Sequence, residues 1–204
     1  MTKFILAGDR INAMVYANHI ETELRHRAGS NEDRIVLAND ALRQLVDMIL
    51  KKQAYLRFYV CFRPLWQLDV LEPIPERIVS DFGEKVMAIS EAIAPFQLHT
   101  KNELVRKACL ILLEGQGVGS LREVAGQLYS NPKYLGSLMK KELGMSFIQY
   151  ATFIRTERSK LLLSGSDKIY EIAHAMGYND VEYFSRVFKR HTGESPSAFR
   201  ERCY

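Results

Sequence analysis

Glu182, Ser185, Arg186, Lys189 and Arg190 recur at helical spacing, which aligns their side chains along one face. A carboxylate, a hydroxyl and a guanidinium match the donors and acceptors of base edges, and the remaining cations suit phosphates. A second set with the same character lies upstream. Lys133, Gly136, Ser137, Lys140 and Lys141 also fall on one helical face, with less reach at Gly136 and Ser137.

The flanking residues define the elements that must position these sets. Asp167 is the expected N-cap of a short helix with Ile169, Ile172, Ala173 and Met176 on its apolar face, and Gly177 suits its C′ position. Asn179 or Asp180 then caps a second helix whose buried stripe is Val181, Phe184 and Phe188. Two short helices joined by a tight Gly-containing turn read as a helix-turn-helix, although an ordinary helical hairpin in an all-α domain has the same pattern. Upstream, Ser120 and Glu123 form a capping box before Leu121, Val124, Ala125 and Leu128. Tyr129-Ser130-Asn131-Pro132 is a turn, and Tyr134, Leu135, Leu138 and Met139 are the expected buried stripe of the helix that follows. Gly144 closes this hairpin, Ser146 caps a long helix from Phe147 to Leu163, and Gly165 ends it. The outward-reading helices are thus about 132–143 and 181–191. A connector of about 17 residues is roughly 26 Å long, close to the ~34 Å repeat that separates successive major grooves on one face of B-DNA.

The run Ile172-Ala173, Gly177-Tyr178, Asn179, Tyr183-Phe184, Arg186, Phe188-Lys189, Gly193, Ser195-Pro196 and Phe199-Arg200 resembles the DNA-binding domain of the AraC/XylS family of bacterial transcription regulators. The first hairpin resembles it too, through Val124-Ala125, Tyr134-Leu135, Leu138, Lys140-Lys141, Gly144 and Phe147 to Tyr150. The likeness spans about Leu104 to Arg202. It implies an all-α fold, promoter binding as the activity of an activator, and DNA contacts from Lys133, Gly136, Ser137 and Lys140, then Val181, Glu182, Ser185, Arg186 and Lys189. Gly136 and Ser137 depart from a strong reader, so more of the sequence discrimination is expected from the second hairpin.

Charge supports the division. Residues 1–103 hold 13 Lys/Arg against 14 Asp/Glu, whereas residues 104–204 hold 15 against 10. The positive excess therefore lies wholly in the half with the hairpins, as a phosphate-facing module requires. The first apolar run, Phe4 to Ala7, is too short for a signal peptide, and no run approaches a membrane span. Cys61, Cys109 and Cys203 show no CxxC spacing, so reduced thiols of a bacterial cytoplasmic, nucleoid-associated protein are expected.

The first half reads as a small, mostly helical domain of residues 1–99 with one or two short strands, followed by the 100–204 reader. Lys3 to Ala7 is a strand candidate. An amphipathic helix follows from about Arg10 to His26, with Ile11, Met14, Val15, Ile20 and Leu24 apolar. Ala28-Gly29-Ser30-Asn31 breaks it, and Ser30 with Asp33 caps the next helix, with Leu42, Leu45, Val46 and Ile49 inward. Tyr55 to Phe62 reads as a second strand. Arg63-Pro64 stops it, and a loop runs to Pro75. A helix then carries Ile78, Val79, Phe82, Val86, Ile89 and Ile93 inward until Pro95, with Phe96 to Thr100 as linker. Two strands cannot build the β-barrel sugar-binding domain that many AraC-type proteins carry. The strand–helix alternation of a phosphate-accepting receiver is also missing.

Other chemistry finds little support. His19 and His26 lie seven apart without a third ligand in register, so no metal site is expected. Three scattered cysteines cannot form the tetrathiolate of a zinc-held methyl acceptor, and no nucleophile elbow, P-loop or HExxH is present. Neither enzymatic activity nor a cofactor is expected. Tyr55, Tyr59 and Trp66 could line a small-molecule pocket, though an aromatic core accounts for the same residues. The expected partner is double-stranded DNA. The helices of the first half carry apolar positions in excess of what their own layer covers, which a homodimer would bury. The alternative is that this half binds a protein or small-molecule effector that controls DNA binding, without dimerisation.

Overall fold

The computed structural model describes residues 1–27, 30–62, 65 and 75–203. The expected break at Ala28-Gly29 and the expected 63–74 loop, apart from Leu65, lie outside the described residues. The chain divides into two units, Met1–Gln97 and Leu98–Tyr204. Among the described residues the regular elements are all helical, and no helix is long and apolar enough to cross a membrane.

Met1–Gln97 contains α1 (Thr2–Leu6), α2 (Arg10–Arg27), α3 (Asn31–Lys52), a 3-10 helix (Ala54–Phe58), α4 (Pro75–Ile93) and a second 3-10 helix (Ala94–Phe96). The capping box before α3 forms as its sequence requires: Ser30 Oγ accepts from Asp33 N at 3.1 Å, and Asp33 Oδ2 accepts from Ser30 N at 3.2 Å. Leu42, Leu45, Val46 and Ile49 of α3 are buried, as are Phe82, Val86, Ile89 and Ile93 of α4.

Neither expected strand forms: Lys3 to Leu6 lie in α1, and of Tyr55 to Phe62 the first four residues lie in the 3-10 helix while Tyr59 to Phe62 have no regular structure. In α1 the buried residues are Thr2 and Ile5, three apart, which fits one face of a helix and not the two-residue alternation of a strand. Around Tyr55 to Phe62 the buried positions include Tyr55, Leu56, Tyr59 and Val60. Phe62 is buried as well, and the backbone amides of Leu56, Tyr59 and Val60 bond to carbonyls three or four residues back, as in turns and not in a pleated ladder. The aromatic run only mimicked alternation.

The orientation of α2 also departs from expectation. Ala13 and Ala17 are buried, whereas Ile11 is 79% and Val15 58% exposed. The reason is close approach to α4. Gly83 N donates to Glu21 Oε1 at 2.9 Å, and a Cβ at Gly83 would lie 2.9 Å from that oxygen and 3.5 Å from Met14 Sδ. Met14 and Glu21 thus face α4 at Gly83, and helical geometry puts Ala13 and Ala17 on the same side of α2 and Ile11 and Val15 on the other.

Leu98–Tyr204 contains α5 (Glu103–Glu114), α6 (Leu121–Gln127), α7 (Pro132–Leu143), α8 (Phe147–Leu163), α9 (Ile169–Ala175), α10 (Val181–Thr192) and α11 (Pro196–Cys203). Sequence reasoning did not single out α5. Its signal was present in Asn102, whose Oδ1 accepts from Leu104 N and Val105 N at 3.1 and 3.2 Å, ahead of buried Val105, Ala108, Cys109 and Leu112. Burial pushes the Cys109 thiol up to about 11, partly offset by a hydrogen bond with Tyr150. It stays protonated at neutral pH and serves as packing rather than as a nucleophile.

Candidate nucleic-acid interface

The first hairpin is α6 and α7. Ser120 Oγ accepts from Glu123 N at 3.2 Å, and Glu123 Oε2 accepts from Ser120 N at 2.7 Å. The second of these bonds chiefly holds the Glu123 carboxyl below its ordinary value. Asn131 Oδ1 accepts from Lys133 N and Tyr134 N at 2.9 and 3.2 Å, with Pro132 beginning the helix. Gly144, at φ +72°, ends α7 in the left-handed region that glycine enters without strain. Leu135 and Met139 are buried. Tyr134 corrects the expected stripe: it is 60% exposed, because its neighbour Leu135 already holds the inward position on that turn.

Lys133, Ser137, Lys140 and Lys141 are exposed on α7, with Gly136 half-buried between them. A Cβ at Gly136 would come within 3.1 Å of Leu121 Cδ2, so this glycine lets α6 and α7 close on each other. A shallow groove of about 330 Å³ runs beside it, lined in part by Lys133, Ser137, Lys140 and Ile148.

The second hairpin is α9 and α10. Its first cap is Lys168, not Asp167. Glu171 Oε2 reaches back to accept from Lys168 N at 2.9 Å, and that reciprocal bond fixes the cap three residues before Glu171. The Asp167 carbonyl instead accepts from Arg200 Nη2 of α11. Gly177 has φ +77°, as the turn after α9 requires. Asp180 caps α10, its Oδ1 accepting from Glu182 N at 2.8 Å and Tyr183 N at 3.1 Å. The inner face of α10 supplies Phe184, Val187 and Phe188 to a core with Leu163, Ile172, Ala173, Met176 and Tyr178; Val181 and Phe199 pack against its edge.

On the outer face of α10, Glu182, Arg186, Lys189 and Arg190 are exposed, while Val181 and Ser185 are half-buried. Both serines of the two faces bond to their own helices. Ser137 Oγ donates to Lys133 O at 3.0 Å and Ser185 Oγ to Val181 O at 2.9 Å, so each offers a free acceptor more readily than a free donor. Arg186 leans toward the Tyr183 ring, its Cζ 6.0 Å from the centroid.

Among the described residues, the cations Lys133, Lys140, Lys141, Lys189 and Arg190 of these faces have no carboxylate pair, a property that Lys101 and Arg122 elsewhere in the unit share. Arg106, Lys107, Lys160 and Arg202 are each paired with a carboxylate. Lys189 and Arg190 in the last turn of α10 also complement its dipole; Arg186 in mid-helix has no such reason.

The remaining sequence candidates fall elsewhere. Tyr55 and Tyr59 are buried in Met1–Gln97, and Tyr59 stacks on Phe96 with ring centroids 4.8 Å apart. Trp66 lies outside the described residues. His19 and His26 are exposed, and no cluster of metal-ligating side chains occurs among the described residues.

A family model described as a helix-turn-helix domain matches residues 124–202. The chain is 34% identical over 163 residues to the uncharacterized transcriptional regulatory protein YesN of Bacillus subtilis (strain 168), covering 70% of this chain and 44% of that protein. It is 33% identical over 122 residues to the arabinose operon regulatory protein of Escherichia coli (strain K12), covering 58% of this chain and 40% of that one. The chain thus spans less than half the length of these curated relatives. Among solved structures, the C-terminal domain of AraT, a response regulator from Geobacillus stearothermophilus, is 39% identical with a TM-score of 0.46, covering 49% of this chain and 85% of that one.

Proposed function

The C-terminal half of this chain belongs to the AraC/XylS type of helix-turn-helix domains, and from that premise we propose that the chain is a sequence-specific transcription regulator that inserts α7 and α10 into successive major grooves of double-stranded DNA. One observation carries the reading: two hairpins, each with exposed, carboxylate-free cations on the outer face of its second helix, are joined by the 17-residue α8. At 1.5 Å per residue α8 is about 26 Å long, a length suited to neighbouring grooves ~34 Å apart. Arg186 is the base reader, bidentate to guanine, and Glu182 accepts from cytosine. Lys133, Lys140, Lys141, Lys189 and Arg190 hold phosphates. Val181 offers methyl groups to thymine. Gly136 and Ser137 reach little, so α10 carries more of the discrimination. The setting in this proposal is the bacterial cytoplasm, at the nucleoid.

The test uses the full chain and duplexes that it selects from a random pool. Arg186→Ala should lose about 1–3 kcal/mol on the selected site and relax the preference at one base pair. Lys189→Ala should weaken selected and unselected duplexes alike, with a salt slope shallower by about one. Wild-type binding by both variants would remove α10 as a reader.

Met1–Gln97 supplies self-association in the same proposal. Its support is apolar surface left in solvent: Ile11 and Val15 on α2, and Val36 (60% exposed) and Met48 (48% exposed) on α3. A second copy of the chain would cover it. In analytical ultracentrifugation the full chain should sediment as a dimer, and the charge-bearing variant Ile11→Glu/Val36→Glu as a monomer. A wild-type chain that stays monomeric at tens of micromolar would instead make this unit a binder of an effector or partner protein.

A further inference from the structure

The connector α8 is more than a rod. Gly117, in the loop between α5 and α6, has φ +77°, and a Cβ there would lie 2.7 Å from Ala151 O and 2.8 Å from Arg155 Cγ. The loop leading into the first hairpin therefore rests directly on the α8 backbone, where only glycine fits. Arg155 Nε donates to Gly117 O at 2.7 Å, and Arg158 Nε donates to Gln116 Oε1 at 3.0 Å. The same Arg155 guanidinium lies over the ring of Tyr178, with Cζ 5.6 Å from the centroid. Tyr178 is the turn residue of the second hairpin. It is only 7% exposed and packs on Phe184 of α10, with ring centroids 5.4 Å apart.

One side chain thus touches the loop that enters the first hairpin and the turn of the second. A helix fixes the distance between two modules but leaves each free to rock about its own junction. A guanidinium that bonds a backbone carbonyl on one side and faces an aromatic ring on the other restrains both rotations, using a planar group that few other side chains provide.

We propose that Arg155 fixes the register between α7 and α10 and so determines the spacing of the two half-sites that the chain accepts on DNA. This rests on the reading that both hairpins engage one duplex. Its consequence follows from duplex geometry: moving a half-site by one base pair shifts it by about 3.4 Å and turns it by roughly 35°. A restrained pair of readers cannot follow such a move without losing contacts, whereas a loosened pair follows it at small cost.

The experiment compares full-length wild type, Arg155→Ala and Arg155→Lys on synthetic duplexes built from a wild-type-selected site. The half-site separation is changed by one or two base pairs in either direction, and one duplex keeps only the α10 half-site. Wild type should lose on the order of tenfold in affinity per added or removed base pair, the usual cost of a mismatched site. Arg155→Ala should bind the original spacing about tenfold more weakly, the worth of one charge-assisted bond. It should also bind all spacings to within about threefold of one another and hold the single half-site as wild type does. Arg155→Lys keeps the charge and one donor, and should fall between the two. An unchanged spacing profile in Arg155→Ala and Arg155→Lys would overturn the proposal. So would a loss equal on every duplex, the single half-site included, since that is the mark of a general folding defect. A wild type indifferent to spacing would overturn the two-groove reading itself, a different failure visible before any variant is made.

Discussion

Phe188→Ala should lower the unfolding free energy of Leu98–Tyr204 by about 3–5 kcal/mol, the usual cost of deleting a buried phenyl ring. Phe188 is 1% exposed. Its ring centroid lies 5.9 Å from Phe184 and 5.6 Å edge-on from Phe199, so the substitution leaves a cavity where α9, α10 and α11 meet. The helix that carries Arg186 and Lys189 outward is held by Phe184, Val187 and Phe188 inward. DNA affinity should therefore fall with stability, although no group facing the duplex has changed. Urea denaturation of the full chain, followed by circular dichroism, measures the first effect, and binding to a selected duplex measures the second. A loss below about 1 kcal/mol would be too small for a fully buried phenylalanine and would show that this cluster does not hold α10.

Ile154→Pro should cost ~3 kcal/mol or more through the helix alone. Ile154 is fully buried in the middle of α8. Proline there removes one i→i−4 hydrogen bond and drives its ring against the preceding turn. Ile154→Ala separates the two causes, because it removes the buried side chain and leaves the helix continuous. Both variants should lose stability, but only the proline should uncouple the hairpins and reduce binding to that of one half-site. Proline-variant affinity near that of wild type would show that the connector does not matter to DNA binding.

The C-terminal half was legible because its signals are local. Capping residues such as Ser120, Asn131, Ser146 and Asp180 act on amides two or three residues away, and Gly144, Gly177 and Gly193 occupy left-handed positions at helix ends. These depend on the immediate chain and on no distant contact. Asp167 failed by one residue because Glu171 chose the cap. Tyr134 failed because an aromatic at the edge of a stripe has two available sides.

The first half was less legible for a physical reason. Its helix α2 has apolar residues around its circumference, so periodicity could not say which would be buried. The answer lay in Gly83, 62 residues from Glu21 in the chain. The run Tyr55 to Phe62 has the composition of a strand, but no partner strand occurs among the described residues to take up its backbone groups. Arg155 was likewise invisible as anything but a helix-surface cation, since its partner Gly117 is 38 residues away.

Hydroxyl-radical cleavage of a selected duplex, with and without the full chain, most directly tests whether two helices read neighbouring grooves. Each engaged half-site should show as protection on one face of the DNA, in patches about ten base pairs apart. Arg186→Ala should weaken the patch belonging to α10 and leave that of α7 near its wild-type strength. A single patch from the wild-type chain, or an α10 patch unchanged in the variant when protein saturates the duplex, would contradict the account.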